Sequence, residues 1–509
     1  MAIRARLQLS ASAHGELMGE AKRKARIRVS REALSKPLGA ARFDIYAMGA
    51  RMSHSRVISE ELTYWSDIDE KALGMVFHDI VDDDYGWILF ARDRVRRFRC
   101  VDVAASLKSE EYATASVRER IATAVEDPKF DELGYQADEP NTPVDLLHVA
   151  TDADRSKLHP YFIILLESPG RAPARAVFRE IGPWLAPSDP HFVNEFQFKQ
   201  FDQRLWELYL WATFRELGFD IKQPEAPDFL CSGPGISFAV EATTVGPSID
   251  GPLASHPNPQ TPDEMREFLS HYMPMKFGSS LTSKLNKKNK AGESYWERGE
   301  TADKPFMLAI ADFHVPGSKE EVGSMTYTHS ALWPYLYGHR VDWEKIDGKL
   351  AIKAVKNAGH HYKGKTIPTG FFDLPGAENV SAVLFSNAGT LAKFDRMGVA
   401  AGFGPADHKY YRIGLSYDPD PNAVIGKPFS QEVNNTGYEE HWSDELQIFH
   451  NPNAKHPFAD HAFGGFTQHF FGNGEPYTVS PPGGVIASRT LILRLAKKDE
   501  MLEQDESLV

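Results

Sequence analysis

The chain reads as an α/β protein of about two or three domains, and three stretches carry that reading. An antiparallel, strand-rich pattern runs from Asp44 to Val103. A strongly periodic helix follows in NEFQFKQFDQRLWELYLWATFRELGF. Behind it comes a succession of short apolar strands that ends in the run PFMLAIADFHV. The chain has 509 residues, 42% hydrophobic and 25% charged, the composition of an ordinary globular protein. No apolar run approaches the ~18 residues of a membrane span, and MAIRARLQLSASAH lacks the apolar core of a secretory signal. Two cysteines, Cys100 and Cys231, leave neither a disulfide framework nor a Cys-rich metal site. A cytoplasmic location is the expectation.

Residues 1–40 are basic, with an arm formed by Lys22, Arg23, Lys24, Arg26 and Arg28. GMVFHDIVDDDYGWILFARDRVRRFRCVDV predicts antiparallel strands with Asp82, Asp83 and Asp84 at the turn. Residues 107–125 read as a helix, 139–160 as a polar connection with a short helix, and PYFIILLES as a strand. Pro183, Pro187 and Pro190 mark a boundary, so residues 1–185 form an N-terminal α+β accessory domain. In the next domain, 190–400, Leu205, Leu208, Tyr209, Phe214 and Leu217 recur at helical spacing. Gly218 supplies the stop. The strands FDIKQ and ISFAVEATTV flank a Pro-Asp-Phe-Leu-Cys segment and a Ser-Gly-Pro-Gly turn. A helical segment at 262–291, interrupted by Pro274, precedes the buried strand PFMLAIADFHV. A helix near 325–338 and a strand at 381–387 complete this domain. Residues 401–509 read as a loop-rich extension packed on it, with a frayed acidic tail, KKDEMLEQDES.

Strand alternation puts Ile236, Phe238 and Val240 on one face of ISFAVEATTV and Ser237, Ala239, Glu241 and Thr243 on the other. Pairing about a Ser232–Gly235 turn sets Asp228 opposite Ala239, diagonal to Glu241. Both carboxylates then reach one ion, more easily with a bulge. Magnesium takes oxygen ligands and keeps several waters. Asp228, Glu241 and the Ala242 carbonyl supply half such a shell, and Glu207 on the preceding helix either orients a water or binds a second ion. The same residues also fit a capped strand end beside an exposed loop aspartate.

Glu207 in RLWELYL, Pro227-Asp228 and Glu241-Ala242-Thr243 together resemble the PD-(D/E)xK nuclease superfamily. The resemblance covers roughly residues 195–315, in the order helix, three strands, helix, strand. It implies the restriction-endonuclease-like fold, a mixed sheet flanked by helices. It also implies Mg²⁺- or Mn²⁺-dependent hydrolysis of phosphodiester bonds, usually of DNA. Thr243 departs from the pattern, since the family has lysine there to position the attacking water and neutralise phosphate. Threonine can orient a water but brings no charge. Lys276, Ser280, Lys284 and Lys287 or Lys288 share one helical face. Lys284 is the first candidate for the missing cation and Lys288 the second, against the alternative of a basic, solvated helix. Tyr295 and Trp296 suit either base stacking or an aromatic core.

Other motifs carry less. His450, His456, His461 and His469 match no zinc spacing and read as surface-loop histidines. His360 and His361, beside Tyr362, Lys363 and Lys365, read as a solvent-exposed or phosphate-facing loop. There is no EF-hand, P-loop or nucleophile elbow. A net charge of −13 argues against a DNA-coating protein. It leaves room for a nuclease with local basic faces. The expected function is a metal-dependent endonuclease acting on DNA, in a bacterial restriction or anti-phage role. Homodimerisation, or a partner protein held by the N-terminal domain, would fit that role. The alternative is a catalytically inactive module of the same fold that binds nucleic acid or protein.

Overall fold

The computed structural model describes residues 33–495 apart from 247, 249–250, 252, 254–256, 314–328, 464 and 482. The basic arm Lys22–Arg28 and the acidic tail lie outside the described residues. The chain divides into two compact units, Met1–Pro143 and Val144–Val509, so residues 144–185 fall in the second unit rather than with the N-terminal part. Both units mix helices and strands. Among the described residues, no helix is long and apolar enough to cross a membrane.

In the first unit the alternating pattern folds as an antiparallel sheet of β1 (Ser35–Pro37), β2 (Ser59–Asp67), β3 (Ala72–Asp79), β4 (Asp84–Arg92) and β5 (Phe98–Leu107), paired in sequence order. Helix α1 (Ala40–Ala47) lies between β1 and β2 in the chain. The aspartate triplet falls at the β3–β4 turn as the pattern predicts, with Asp83 at φ 55°. Helix α2 (Glu110–Glu126) starts at Ser109, whose hydroxyl accepts the Tyr112 N–H at 3.2 Å. Its Ala113, Val117 and Ile121 bury against Ala72, Val76, Trp87 and Leu89 of the sheet.

The second unit opens with α3 (Pro160–Glu167) and α4 (Ala172–Ile181). PYFIILLES is therefore helical, which corrects the strand expected there. Pro160 occupies the first helical turn, and the His159 ring accepts the Tyr161 N–H at its N-cap. Phe162 and Leu165, three residues apart, turn into the core. Helices α5 (Phe192–Phe198) and α6 (Phe201–Glu216) follow.

Eight strands form the central sheet: β6 (Asp220–Lys222), β7 (Phe229–Gly233), β8 (Ile236–Val245), β9 (Phe306–Asp312), β14 (Ala382–Phe385), β17 (Gln447–His450), β18 (Thr467–Gly472) and β19 (Glu475–Val479). Their spatial order is β19-β18-β17-β14-β9-β8-β7-β6. β8, β9 and β14 run parallel, and β6, β7 and β8 are antiparallel. Every residue of β9 is buried, as its unbroken apolar run requires. Phe214 of α6 packs on Phe229 and Phe238, and the Trp206 indole donates to the Ala309 carbonyl at 3.2 Å. From the other face, Phe277 and Leu281 cluster with Ala239, Leu308 and Ile310.

The helical segment at 262–291 is in fact α7 (Pro262–Glu267), a π turn (Phe268–Tyr272) and α8 (Met273–Leu285). Pro274 is accommodated in the first turn of α8. Helix α9 (His329–Tyr337) leads to the hairpin β10 (His339–Ile346) and β11 (Lys349–Lys356), then to the small hairpin β12 (His360–Tyr362) and β13 (Lys365–Ile367). His360 is buried there with Nδ1 2.7 Å from the Ser270 carbonyl, not in a solvated loop.

Residues 401–509 also depart from expectation. Three of their strands complete the central sheet, and β15 (His408–Ser416), β16 (Lys427–Glu432) and β20 (Val485–Arg494) form a sheet of their own behind α10 (Leu391–Ala400). Their Gly, Pro and Asn turns masked strands of four to ten residues. His450 and His469 are strand residues, buried and 2.8 and 2.9 Å from Gln468 and Gln447, not surface histidines.

The β7–β8 connection is a two-residue turn, Pro234-Gly235, with Gly235 at φ 76°. A Cβ there meets nothing within 4 Å. Gly235→Val is therefore expected to lower stability by about 1–2 kcal/mol through left-handed backbone strain alone. Urea denaturation measures this, and an unchanged midpoint would contradict the turn.

Candidate active site

The short turn fixes the site's first two carboxylates. Gly233 pairs with Ile236 and Phe229 with Val240, so the next position along the ladder sets Asp228 directly opposite Glu241. This replaces the diagonal placement opposite Ala239, because the turn uses two residues rather than four, and no bulge is needed. β8 continues past the start of β7, leaving backbone at Ala242 without a strand partner on that edge. The Asp228 side chain takes its place: Oδ2 accepts the Ala242 N–H at 2.7 Å. The N–H and C=O of one strand residue face the same neighbour, so the Ala242 carbonyl also faces the Asp228 edge.

Alternation along β8 turns Ala239, Glu241 and Thr243 toward α8. Two successive strand positions dock on two successive helical turns. Thr243 Oγ1 lies 2.7 Å from Ser280 Oγ, and Lys284 Nζ donates to Glu241 Oε1 at 2.6 Å. Tyr295 OH donates to the same oxygen at 2.7 Å. Glu241 is only 3% exposed, and its Oε2 is buried without a hydrogen-bond partner. Arg298 stacks on the Tyr295 ring at 4.7 Å and donates to the Ala226 carbonyl at 2.9 Å, bracing both sides of the site.

Glu207 projects from α6 into the same cleft, of about 340 Å³, whose lining includes Asp228, Glu241, Ala242, Lys284 and Lys287. Both Glu207 oxygens are engaged: Oε1 accepts from Gln203 and Oε2 from Arg204, each at 2.8 Å. Each Glu207 oxygen thus already accepts one hydrogen bond, one of them from a guanidinium. Lys288 is exposed beyond the end of α8 and does not line the cleft, while Lys287 does. Lys276, at the other end of the helix, donates to Ser248 Oγ at 2.6 Å. Thr243 is buried against α8 and is likewise outside the cleft lining. Trp296 packs beside Phe306 as part of the core.

The crowding of carboxylates around one cleft perturbs Asp228 and Glu207. Burial, then the Glu241 and Glu207 charges, pushes the Asp228 carboxyl well above the usual range, with the Lys284 ammonium opposing. Burial also raises Glu207, despite the Arg204 guanidinium. For Lys284 burial acts downward, but Glu241 and Asp228 outweigh it, and its pKa is raised.

Among the described residues, no three His, Cys, Asp or Glu side chains gather as a metal cage. What the cleft offers is two facing carboxylates, Asp228 and Glu241, a backbone carbonyl and an orphaned buried oxygen on Glu241. That set fits a hard cation such as Mg²⁺, which binds through one or two carboxylates, keeps waters and takes the rest of its shell from substrate phosphate. Sequence reasoning missed Gln203 and Arg204 as site residues and gave Tyr295 to base stacking or the core rather than to Glu241. Gln203 and Arg204 lie at i−4 and i−3 from Glu207, spacing that shares one helical face.

Compared with protein-family models, with curated proteins and with solved structures, the chain matches none.

Asp228 carries a pH signature. Its folded pKa lies above its unfolded one, so its contribution favours the fold below about pH 4 and is lost as pH rises through the folded value. In EDTA, Asp228→Asn should melt above the wild type at pH 7–8, with the gain vanishing toward pH 4. Added Mg²⁺ should raise the wild-type midpoint and leave the variant unmoved. A destabilised variant at pH 7 would contradict this.

Proposed function

We propose that this cleft is the active site of a metal-dependent nuclease of restriction-endonuclease-like fold. It hydrolyses phosphodiester bonds of DNA with Mg²⁺ or Mn²⁺. One observation carries the reading: the Lys284 ammonium, on the helix after β8, reaches the Glu241 carboxylate at 2.6 Å and so brings to the cleft the cation that Thr243 lacks. The α6-β6-β7-β8-α7/α8-β9 order supports it. A bacterial restriction or anti-phage setting follows by fold analogy alone.

Asp228, Glu241 and the Ala242 carbonyl would hold the cation. When bound, it supplies Lewis-acid stabilisation of the phosphate and lowers the pKa of a bound water. Lys284, with its raised pKa, stays an ammonium at neutral pH and is not a general base. Its charge positions the attacking water by hydrogen bonding and offsets negative charge developing on the phosphate. Tyr295, its phenol pKa raised by burial and by Glu241, remains a donor and fixes Glu241 in the rotamer that faces the cleft. Thr243 contributes packing through Ser280 rather than a water contact.

A second reading, a catalytically silent binding module, is favoured by the closed Glu241–Lys284–Tyr295 hydrogen bonding. The two separate in a cleavage assay on plasmid, linear and single-stranded DNA and on RNA with Mg²⁺ or Mn²⁺. The nuclease account expects cleavage that Glu241→Ala and Asp228→Ala abolish. Lys284→Ala should lower kcat by ~100-fold or more, and Lys288→Ala should stay near wild type. No cleavage of any substrate, or cleavage untouched by Glu241→Ala, sinks it.

A further inference from the structure

We propose that Arg204 stands where a second divalent cation would be held, so that the cleft takes one metal ion and not two. The inference rests on the nuclease reading and specifies its metal stoichiometry.

Arg204 projects from α6 one turn before Glu207. Its Nε donates to Glu195 Oε2 at 3.0 Å and its Nη1 to Glu207 Oε2 at 2.8 Å, while Nη2 pairs with Asp189. The guanidinium also lies over the Phe192 ring at 4.8 Å. Asp189, Glu195 and Glu207 all line the cleft that holds Asp228 and Glu241. Without the arginine, three carboxylates would face this side of the cleft with no cation to balance them. With it, each already serves a fixed positive charge seated on an aromatic face.

Gln203 holds the other oxygen of Glu207. Its amide nitrogen donates to Glu207 Oε1 at 2.8 Å, and its amide oxygen accepts from Thr244 Oγ1 at 3.2 Å. The hydroxyl donation fixes which end of the amide faces the carboxylate. Glu207 is thereby a positioning residue that holds Arg204, and Arg204 supplies as a permanent charge what a second ion would otherwise bring. A guanidinium cannot be deprotonated in the working range, so no pH change opens the position.

Manganese titration of the full chain, read by the EPR signal of free Mn²⁺, tests this without any turnover. The expected result is one ion per chain. Asp228→Asn, which deletes a direct ligand, should weaken it by more than the ~10–100-fold that loss of a supporting group costs. Glu207→Gln should stay within that range. Two ions per wild-type chain, or Glu207→Gln as damaging as Asp228→Asn, overturns the single-ion assignment and leaves the metal site standing. Absence of any Mn²⁺ binding overturns the nuclease reading and this inference with it. Arg204→Ala, if folded, should gain a second, weaker ion.

Discussion

The ion pair between Glu241 and Lys284 is the constraint around which the second unit is organised. A carboxylate 3% exposed on a central strand needs a charged partner. The partner must come from the helix packed on that strand face. Alternation along β8 and the i, i+4 spacing of Ser280 and Lys284 on α8 satisfy Thr243 and Glu241 at once. The Pro234-Gly235 turn then sets Asp228 opposite the same carboxylate. Strand register, helix docking and the charge balance of the cleft are thus one arrangement.

A second buried carboxylate shows what a purely structural solution looks like. Glu440 accepts from Lys393 at 2.7 Å and from Arg396 at 2.8 and 2.9 Å, with Arg412 3.5 Å away. Burial alone would raise its pKa, but these cations hold it well below the usual carboxylate range. Its network ties α10 to β15. Around Glu241 the compensation is one ammonium and one phenol, with one oxygen unpartnered. Buried charge is costly unless it is paired, and at Glu241 that pairing is incomplete.

Much of the site was legible because it depends on local periodicity. Alternation alone placed Glu241 and Thr243 together; helical spacing put Lys284 on one face with Lys276, Ser280 and Lys287 or Lys288, and the lysine missing at Thr243 made it the first candidate. The facing of Asp228 and Glu241 was legible only up to the turn: counting four loop residues instead of two shifted the register by two. Lys288 could not be separated from Lys287 by spacing, because α8 ends at Leu285 and both lie past it. Tyr295 reaches Glu241 through tertiary packing, and Arg204 joins the cleft through local pairing that no motif signals. The same limit applies to the fold. PYFIILLES is short and apolar enough to suit a strand, yet its helix is set by a cap at His159 and Pro160. Strands β17, β18 and β19 are only four to six residues long and pair onto the edge of the central sheet.

The central claim is that a positive charge at position 284 does the work of the lysine absent from position 243. Lys284→Cys, in a Cys100→Ser background because Cys100 is exposed and Cys231 buried, followed by aminoethylation, places an ammonium of nearly the same reach at that position. The account predicts that the cysteine variant loses DNA cleavage and regains most of it on aminoethylation. Full activity of the unmodified cysteine variant, or no recovery after complete modification, would contradict it.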